Sequence, residues 1–307
     1  MQKLLLALLL CALPAWAEDK LTLLLDWYIN PDHAALIVAQ QQGFFKKHGL
    51  AVEFVEPSDA SAPPKLVAAG QGDLAVTYQP QLYLQQEKEL PLMRVSTLIA
   101  TPLNSLIVRD DSDIKELKDL KGKRLGHSAG GMESATLGTL LKQAGLSTDD
   151  LTLVNVNLSL TPALLSKQVD AVYGAYRNVE LLQMEQEGVK GRAFYVEEQG
   201  MPHYDELIIV ARKDKINREV LARFNTALRE ATSYLLNHRE AGWQAYQSYN
   251  KELGGEKNRK IYEATLPHLA HRPGAFSRRG YEDFAKFLQE QGLIKEVKAA
   301  DEYAIEP

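Results

Sequence analysis

Cysteine is all but missing from this 307-residue chain: the one present, Cys11, lies inside the first apolar stretch. Past that stretch there is no thiol for a disulfide, a zinc or iron–sulfur cluster, or thiol catalysis. Histidines are few and scattered, with no H-E-x-x-H pattern. The close pair His268 and His271 lies in a loop with proline and arginine, so neither a metal nor any other cofactor is expected. Long basic runs are also missing. The formal charge of −5, or −6 once Lys3 leaves with the leader described below, makes nucleic acid and anionic membrane surfaces poor partners. After residue 13 no segment approaches the length of a membrane-spanning apolar helix.

What is present starts with that leader. Met1-Gln2-Lys3 is a short basic start, residues 4–13 are apolar, and Ala15-Trp16-Ala17 is an A-x-A cleavage site before Glu18. Residues 1–17 therefore read as a secretory signal, and the mature chain is expected in the periplasm. Leu10 stands before Cys11 where a lipoprotein needs a small residue, so lipidation is not expected. Apolar content of 45% and charged content of 24% describe a globular protein. An exported chain of this length without disulfides must rest on its core, and its size favours two lobes.

The chain is organised around residues 21–50. An apolar run of strand length breaks at Asp26-Trp27-Tyr28-Ile29-Asn30-Pro31-Asp32, and helical spacing begins at His33. Pro31 and Asp32 are helix start signals, with Asp32 as the candidate N-cap. In open α/β sheets, ligands sit where a strand's carboxyl end feeds a helix. A rigid turn with packed aromatics would share some of these residues. The density of hydrogen-bonding and stacking groups nevertheless makes Asp26, Trp27, Asn30 and His33 candidate ligand contacts.

Strands then alternate with short helices through residue 99 and again from 124 to 196, as parallel βαβ units do. Two strands with polar tails, 104–110 and 206–214, echo one another. They read as crossings between a first lobe, 18–104 with 210–307, and an inserted second lobe, 105–209. The helical pattern after residue 214 is expected to complete the outside of the first lobe.

Tyr78 follows one strand, and Tyr173 and Tyr176 follow another, each placing a phenol near a strand's carboxyl end. Any of these tyrosines alone suits a core as well as a site. Glu206 enters an apolar strand at a crossing, an unusual place for an acid. Gly126-His127-Ser128-Ala129-Gly130 matches G-x-S-x-G, the serine-hydrolase elbow, but no HGGG-like oxyanion segment accompanies it. The stronger reading uses Ser128, Gly130 and Gly131 as a loop at a helix N-terminus that holds a polar ligand group.

The run Leu25-Asp26-Trp27, Asn30-Pro31-Asp32-His33-Ala34, Ala39-Gln40 and Gly43 through Leu50 resembles the N-terminal signature of the thiamine-pyrimidine group of solute-binding proteins. Residues 70–75 and 119–126 resemble further stations common to many type II periplasmic binding proteins. The resemblance implies a type II periplasmic-binding-protein fold: two α/β lobes, two crossing strands and a ligand cleft between the lobes. It implies a non-enzymatic, monomeric carrier of an aminopyrimidine, formylaminopyrimidine or hydroxymethylpyrimidine, that delivers its ligand to an ABC permease in the inner membrane. Riboflavin and sulfonates are the alternative ligands on that scaffold, and an exported serine hydrolase using Ser128 is the remaining alternative. Related fungal hydroxymethylpyrimidine phosphate synthases use a Schiff-base lysine and a histidine four residues later. Thr77 and Gln81 stand at those positions here, and 200–206 lacks the cysteines of the synthases. A hydroxyl cannot form the imine, so the resemblance to synthases does not extend to their chemistry.

Overall fold

The computed structural model describes residues 18–128 and 136–307. The expected leader, Gly130 and Gly131 lie outside the described residues. The strands are β1 (Asp19–Leu24), β2 (Leu50–Val55), β3 (Leu74–Thr77), β4 (Leu92–Ile99), β5 (Asn104–Arg109), β6 (Arg124–His127), β7 (Thr152–Asn155), β8 (Ala171–Tyr176), β9 (Gly191–Tyr195) and β10 (Leu207–Arg212). They form two five-stranded sheets, ordered β2-β1-β3-β10-β4 and β7-β6-β8-β5-β9.

Each sheet has a parallel core and one reversed strand. β10 runs antiparallel to β3 and β4, and β5 runs antiparallel to β8 and β9. These are the two echoing strands of the sequence. Leu207, Ile208, Ile209 and Val210 are all buried, the continuous apolar run of a strand covered on both faces. The ladders also move the expected boundaries. Asn104 pairs with Tyr176 in the second sheet and Ile208 with Thr77 in the first, so the sheets change hands before residues 104 and 207.

Helices cover the sheets. In Arg218–Asn237, Asn217 caps the N-terminus by accepting from the Val220 N–H, a contact worth about 1 kcal/mol. Its buried stripe Val220, Leu221, Phe224, Ala227, Leu228, Ala231 and Leu235 keeps helical spacing and packs on Ala34–Gln41. The Arg278–Glu290 helix departs from expectation. Its buried face, Tyr281, Phe284, Ala285 and Leu288, shares a core cluster with Leu106, Leu125, Ala171 and Tyr173 of the second sheet and with Tyr83 of the first lobe. The C-terminal segment thus joins both lobes instead of covering one. Arg94 on β4 anchors it: its buried guanidinium donates to the carbonyls of Pro273, Gly274, Ala275 and Ile305.

Candidate ligand cleft

Between the sheets lies a cavity of about 190 Å³ lined by Asp26, Trp27, Tyr28, Ile29, Asn30, Asp32 and Tyr78 from the first lobe. Leu160, Gly174, Tyr176, Val179, Glu180 and Gln183 line it from the second lobe, and Leu207 and Asn258 complete it. Trp27 packs against core clusters of both lobes. The lobes also bond across the cleft: the Asn157 amide donates to the Ser58 carbonyl at 3.0 Å, and Lys257 pairs with Glu187 at 2.8 Å.

The loop after β1 is built by its own side chains. Asn30, not Asp32, caps the turn: its Oδ1 accepts from the Asp32 N–H at 2.8 Å and its Nδ2 donates to the Tyr28 carbonyl at 3.0 Å. Asn30 therefore lines the cavity with its Oδ1 and one amide N–H used by the turn. His33 is fully buried behind Asp26 and is not a lining residue. Its Nδ1 accepts from the Asn30 N–H at 3.3 Å, which places the proton on Nε2, donated to Asp26 Oδ1 at 3.0 Å. Tyr78 donates its hydroxyl to Asp26 Oδ2 at 2.8 Å. The histidine and the phenol thus fix a carboxylate at the cavity wall. Burial and the neighbouring Asp26 charge keep Tyr78 neutral, its pKa well above the usual phenol value.

Sequence reasoning missed two carboxylates. Burial pushes Asp32 up to about 6, against the lowering effect of hydrogen bonds from Asn178 Nδ2 (2.7 Å) and the Thr265 hydroxyl (3.0 Å) to its Oδ1. Glu180, in the first turn of the helix after β8, is raised by burial to about 7, and its Oε2 accepts from the Tyr176 N–H at 2.6 Å. The rule that singled out Tyr176, a polar residue just past a strand's carboxyl end, applies to Glu180 equally. Asn258 and Thr265 come from a distant C-terminal helix and carry no such signal.

Besides His33, three described candidates lie off the cavity lining. Tyr173 is buried in the second-lobe core and absent from the cavity lining. Tyr173 pairs with Leu106 and shares the core of Leu106, Leu125 and Ala171, three residues short of the strand's end; a bulge follows it, with Ser105 opposite Ala175 and Gly174, at φ +86°, as the extra residue. Tyr176 beyond it lines the cavity while Tyr173 stays beneath the Arg278–Glu290 helix. Ser128 is buried after β6 and is not a lining residue, and Gly130 is outside the described residues. Glu206 is fully buried at the crossings: Oε2 accepts from the N–H groups of Leu103 (2.6 Å) and Asn104 (2.8 Å) and from the Tyr204 hydroxyl (3.1 Å). Burial still raises it to about 7. Glu206 clasps one crossing to the other, while its neighbour Leu207 reaches the cavity.

Two reversed strands, two crossings and a cleft with side chains from both sheets define the periplasmic-binding-protein class. Solved structures agree on the fold. The alkanesulfonate-binding protein SsuA of Xanthomonas axonopodis, bound to MOPS, superposes with TM-score 0.74 at 19% identity over 94% of this chain and 99% of its own. A Candida albicans gene product described as having the generic periplasmic binding protein fold gives 0.72 at 17% identity, over 94% and 96%. The chain belongs to the NMT1/THI5-like family, which residues 30–241 match. A Haemophilus influenzae protein named for thiamine biosynthesis is 50% identical over 97% of this chain and 95% of its own. The formylaminopyrimidine-binding protein of Halalkalibacterium halodurans is 32% identical over 83% and 78%. A 4-amino-5-hydroxymethyl-2-methylpyrimidine phosphate synthase of Aspergillus parasiticus is 27% identical over the same shares.

Proposed function

We propose that this chain is the exported, monomeric solute-binding component of an ABC importer and carries an aminopyrimidine precursor of thiamine, formylaminopyrimidine or hydroxymethylpyrimidine, to its permease. One observation carries the reading: the described cavity lining holds Asp26, Asp32 and Glu180 among aromatic side chains and not a single lysine, arginine or histidine. A sulfonate or nitrate would meet repulsion there with no cation to offset it. A ring rich in N–H donors meets acceptors. The volume is small beside the roughly 300–1,000 Å³ of pockets for drug-sized ligands, which favours one heteroaromatic ring over a flavin.

Trp27, Tyr78 and Tyr176 supply apolar faces for a flat ring. Glu180, held near neutrality, accepts from the exocyclic amine as a carboxylate and donates to a ring nitrogen as an acid. Because the contacts come from both lobes, the ligand selects the closed arrangement about the two crossings. A wrong ring would leave buried polar groups unpaired, which is the source of discrimination. Synthase chemistry has no support in the site. Thr77 donates its hydroxyl to Gln81 Oε1 at 3.0 Å, so a buried Thr–Gln pair fills the positions a Schiff-base lysine and its histidine would need.

The test is a thermal-shift panel on ligand-free mature protein with formylaminopyrimidine, hydroxymethylpyrimidine, thiamine, riboflavin and taurine. A ligand at a hundred times its dissociation constant adds about 2.7 kcal/mol. A shift with the pyrimidines is expected; a shift with riboflavin or taurine alone would reject the assignment.

A further inference from the structure

We propose that Asp32 is a specificity-determining residue that accepts a hydrogen bond from the ligand's side arm, an amide N–H or a hydroxyl, while Glu180 receives the ring's amine edge. The inference rests on the aminopyrimidine reading above. Asp32 comes from the first lobe and Glu180 from the second, and both line the same cavity. Asp32 is 1% exposed, and its two oxygens differ. Oδ1 is taken by Asn178 and Thr265, whereas Oδ2 is buried with no hydrogen-bond partner among the described residues.

Native proteins leave few buried acceptors without a donor, because the lost hydration is not repaid. The neighbouring amides do not supply one. Neither bonds Oδ2 in the structure: Asn30 Nδ2 donates to the Tyr28 carbonyl, and Asn178 directs its own N–H groups to Oδ1 and Thr265. No cationic side chain stands in the described lining. The missing donor therefore belongs to the ligand. Asn178 lies just past β8 in the second lobe, so its bond to Oδ1 forms when the lobes meet. A ligand donor on Oδ2 then adds to a contact made across the closed cleft. A molecule with donors on two separate groups satisfies carboxylates from both lobes; a ring carrying its amine alone satisfies one.

Calorimetry at neutral pH on wild type and Asp32→Asn tests this, with 4-amino-5-hydroxymethyl-2-methylpyrimidine and its 5-methyl analogue, which lacks the side-arm donor. The Asn variant is isosteric and presents an amide N–H₂ in place of the free oxygen. Wild type is expected to prefer the hydroxymethyl compound by about tenfold or more, the size of a hydrogen bond to a charged acceptor. In Asp32→Asn that preference should fall to about twofold or less, with the methyl analogue bound comparably by both proteins. Thr265→Val leaves the free oxygen in place and should keep the wild-type preference, which separates this role from general damage to the cluster. An unchanged preference in Asp32→Asn, or an equal loss for both compounds, would overturn the inference while leaving the aminopyrimidine reading intact. Failure of both compounds to bind wild type would overturn both.

Discussion

Glu180 and Glu206 are both buried, both accept from backbone N–H groups, and both are raised to about 7 by burial. Glu180 lines the cavity, where a ligand can complete its bonding. Glu206 lies off the cavity lining, and its Oε2 is bound by the protein itself, through two N–H groups of the opposite crossing and a tyrosine, while its Oε1 is buried without a partner among the described residues. A perturbed carboxyl alone therefore does not mark a binding site. Its hydrogen-bond partners, and whether it faces open space, decide between recognition and architecture.

That contrast separates stability from affinity. The largest effect is expected for Glu206→Ala, which orphans the N–H groups of Leu103 and Asn104 and the Tyr204 hydroxyl. A loss on the order of 3–5 kcal/mol in urea denaturation is expected, and a loss below about 1 kcal/mol would show that the clasp contributes little.

The pH dependence follows next. For a carboxyl raised in the folded state, the native protein holds a proton that the unfolded chain has released. Stability is then full below the unfolded value and falls as pH rises toward the folded one. Glu206, going from 4.5 to about 7, accounts for a decline of up to about 3 kcal/mol over that window. Glu180, from 4.5 to about 7, and Asp32, from 3.8 to about 6, act in the same direction. The melting temperature of ligand-free protein should fall from pH 5 to pH 7.5, and Glu206→Gln should flatten the slope. A rising profile would contradict the burial of these groups.

Trp27→Ala is the smaller test of the cavity side. It should weaken pyrimidine binding about tenfold, corresponding to roughly 1.4 kcal/mol from a lost aromatic face, with affinity read by calorimetry. Unchanged affinity would remove Trp27 from the ligand's surroundings.

Much of this architecture was legible in the sequence. The apolar runs that alternate with helical spacing gave the sheets, and the echo of 104–110 by 206–214 marked the reversed strands. The carboxyl-end rule found Asp26, Trp27, Tyr78 and Tyr176, all of which line the cavity. Long-range effects were not legible. The register with β5, which sets Tyr173 opposite Leu106 in the second-lobe core, decides the surroundings of Tyr173. Asn30 took the cap assigned to Asp32 and freed that carboxylate for the cavity, a choice between neighbours that local propensity does not settle. Glu206 looked like a site residue because an acid entering a buried strand is rare, yet its partners lie about a hundred residues away. The Arg278–Glu290 helix showed its apolar stripe plainly but not which lobe it would cover.

The central claim is that the carboxylate-lined cavity, with Glu180 at its wall, binds an aminopyrimidine. The most direct measurement is calorimetric titration of mature wild type and Glu180→Gln with 4-amino-5-hydroxymethyl-2-methylpyrimidine at pH 7.5. One-to-one binding to wild type is expected, weakened ten- to about a hundredfold in Glu180→Gln, the range of a hydrogen bond to a charged group, with the variant folded and its melting temperature at pH 7.5 no lower than wild type's. Equal affinity in the two proteins, or no binding to folded wild type, would contradict it.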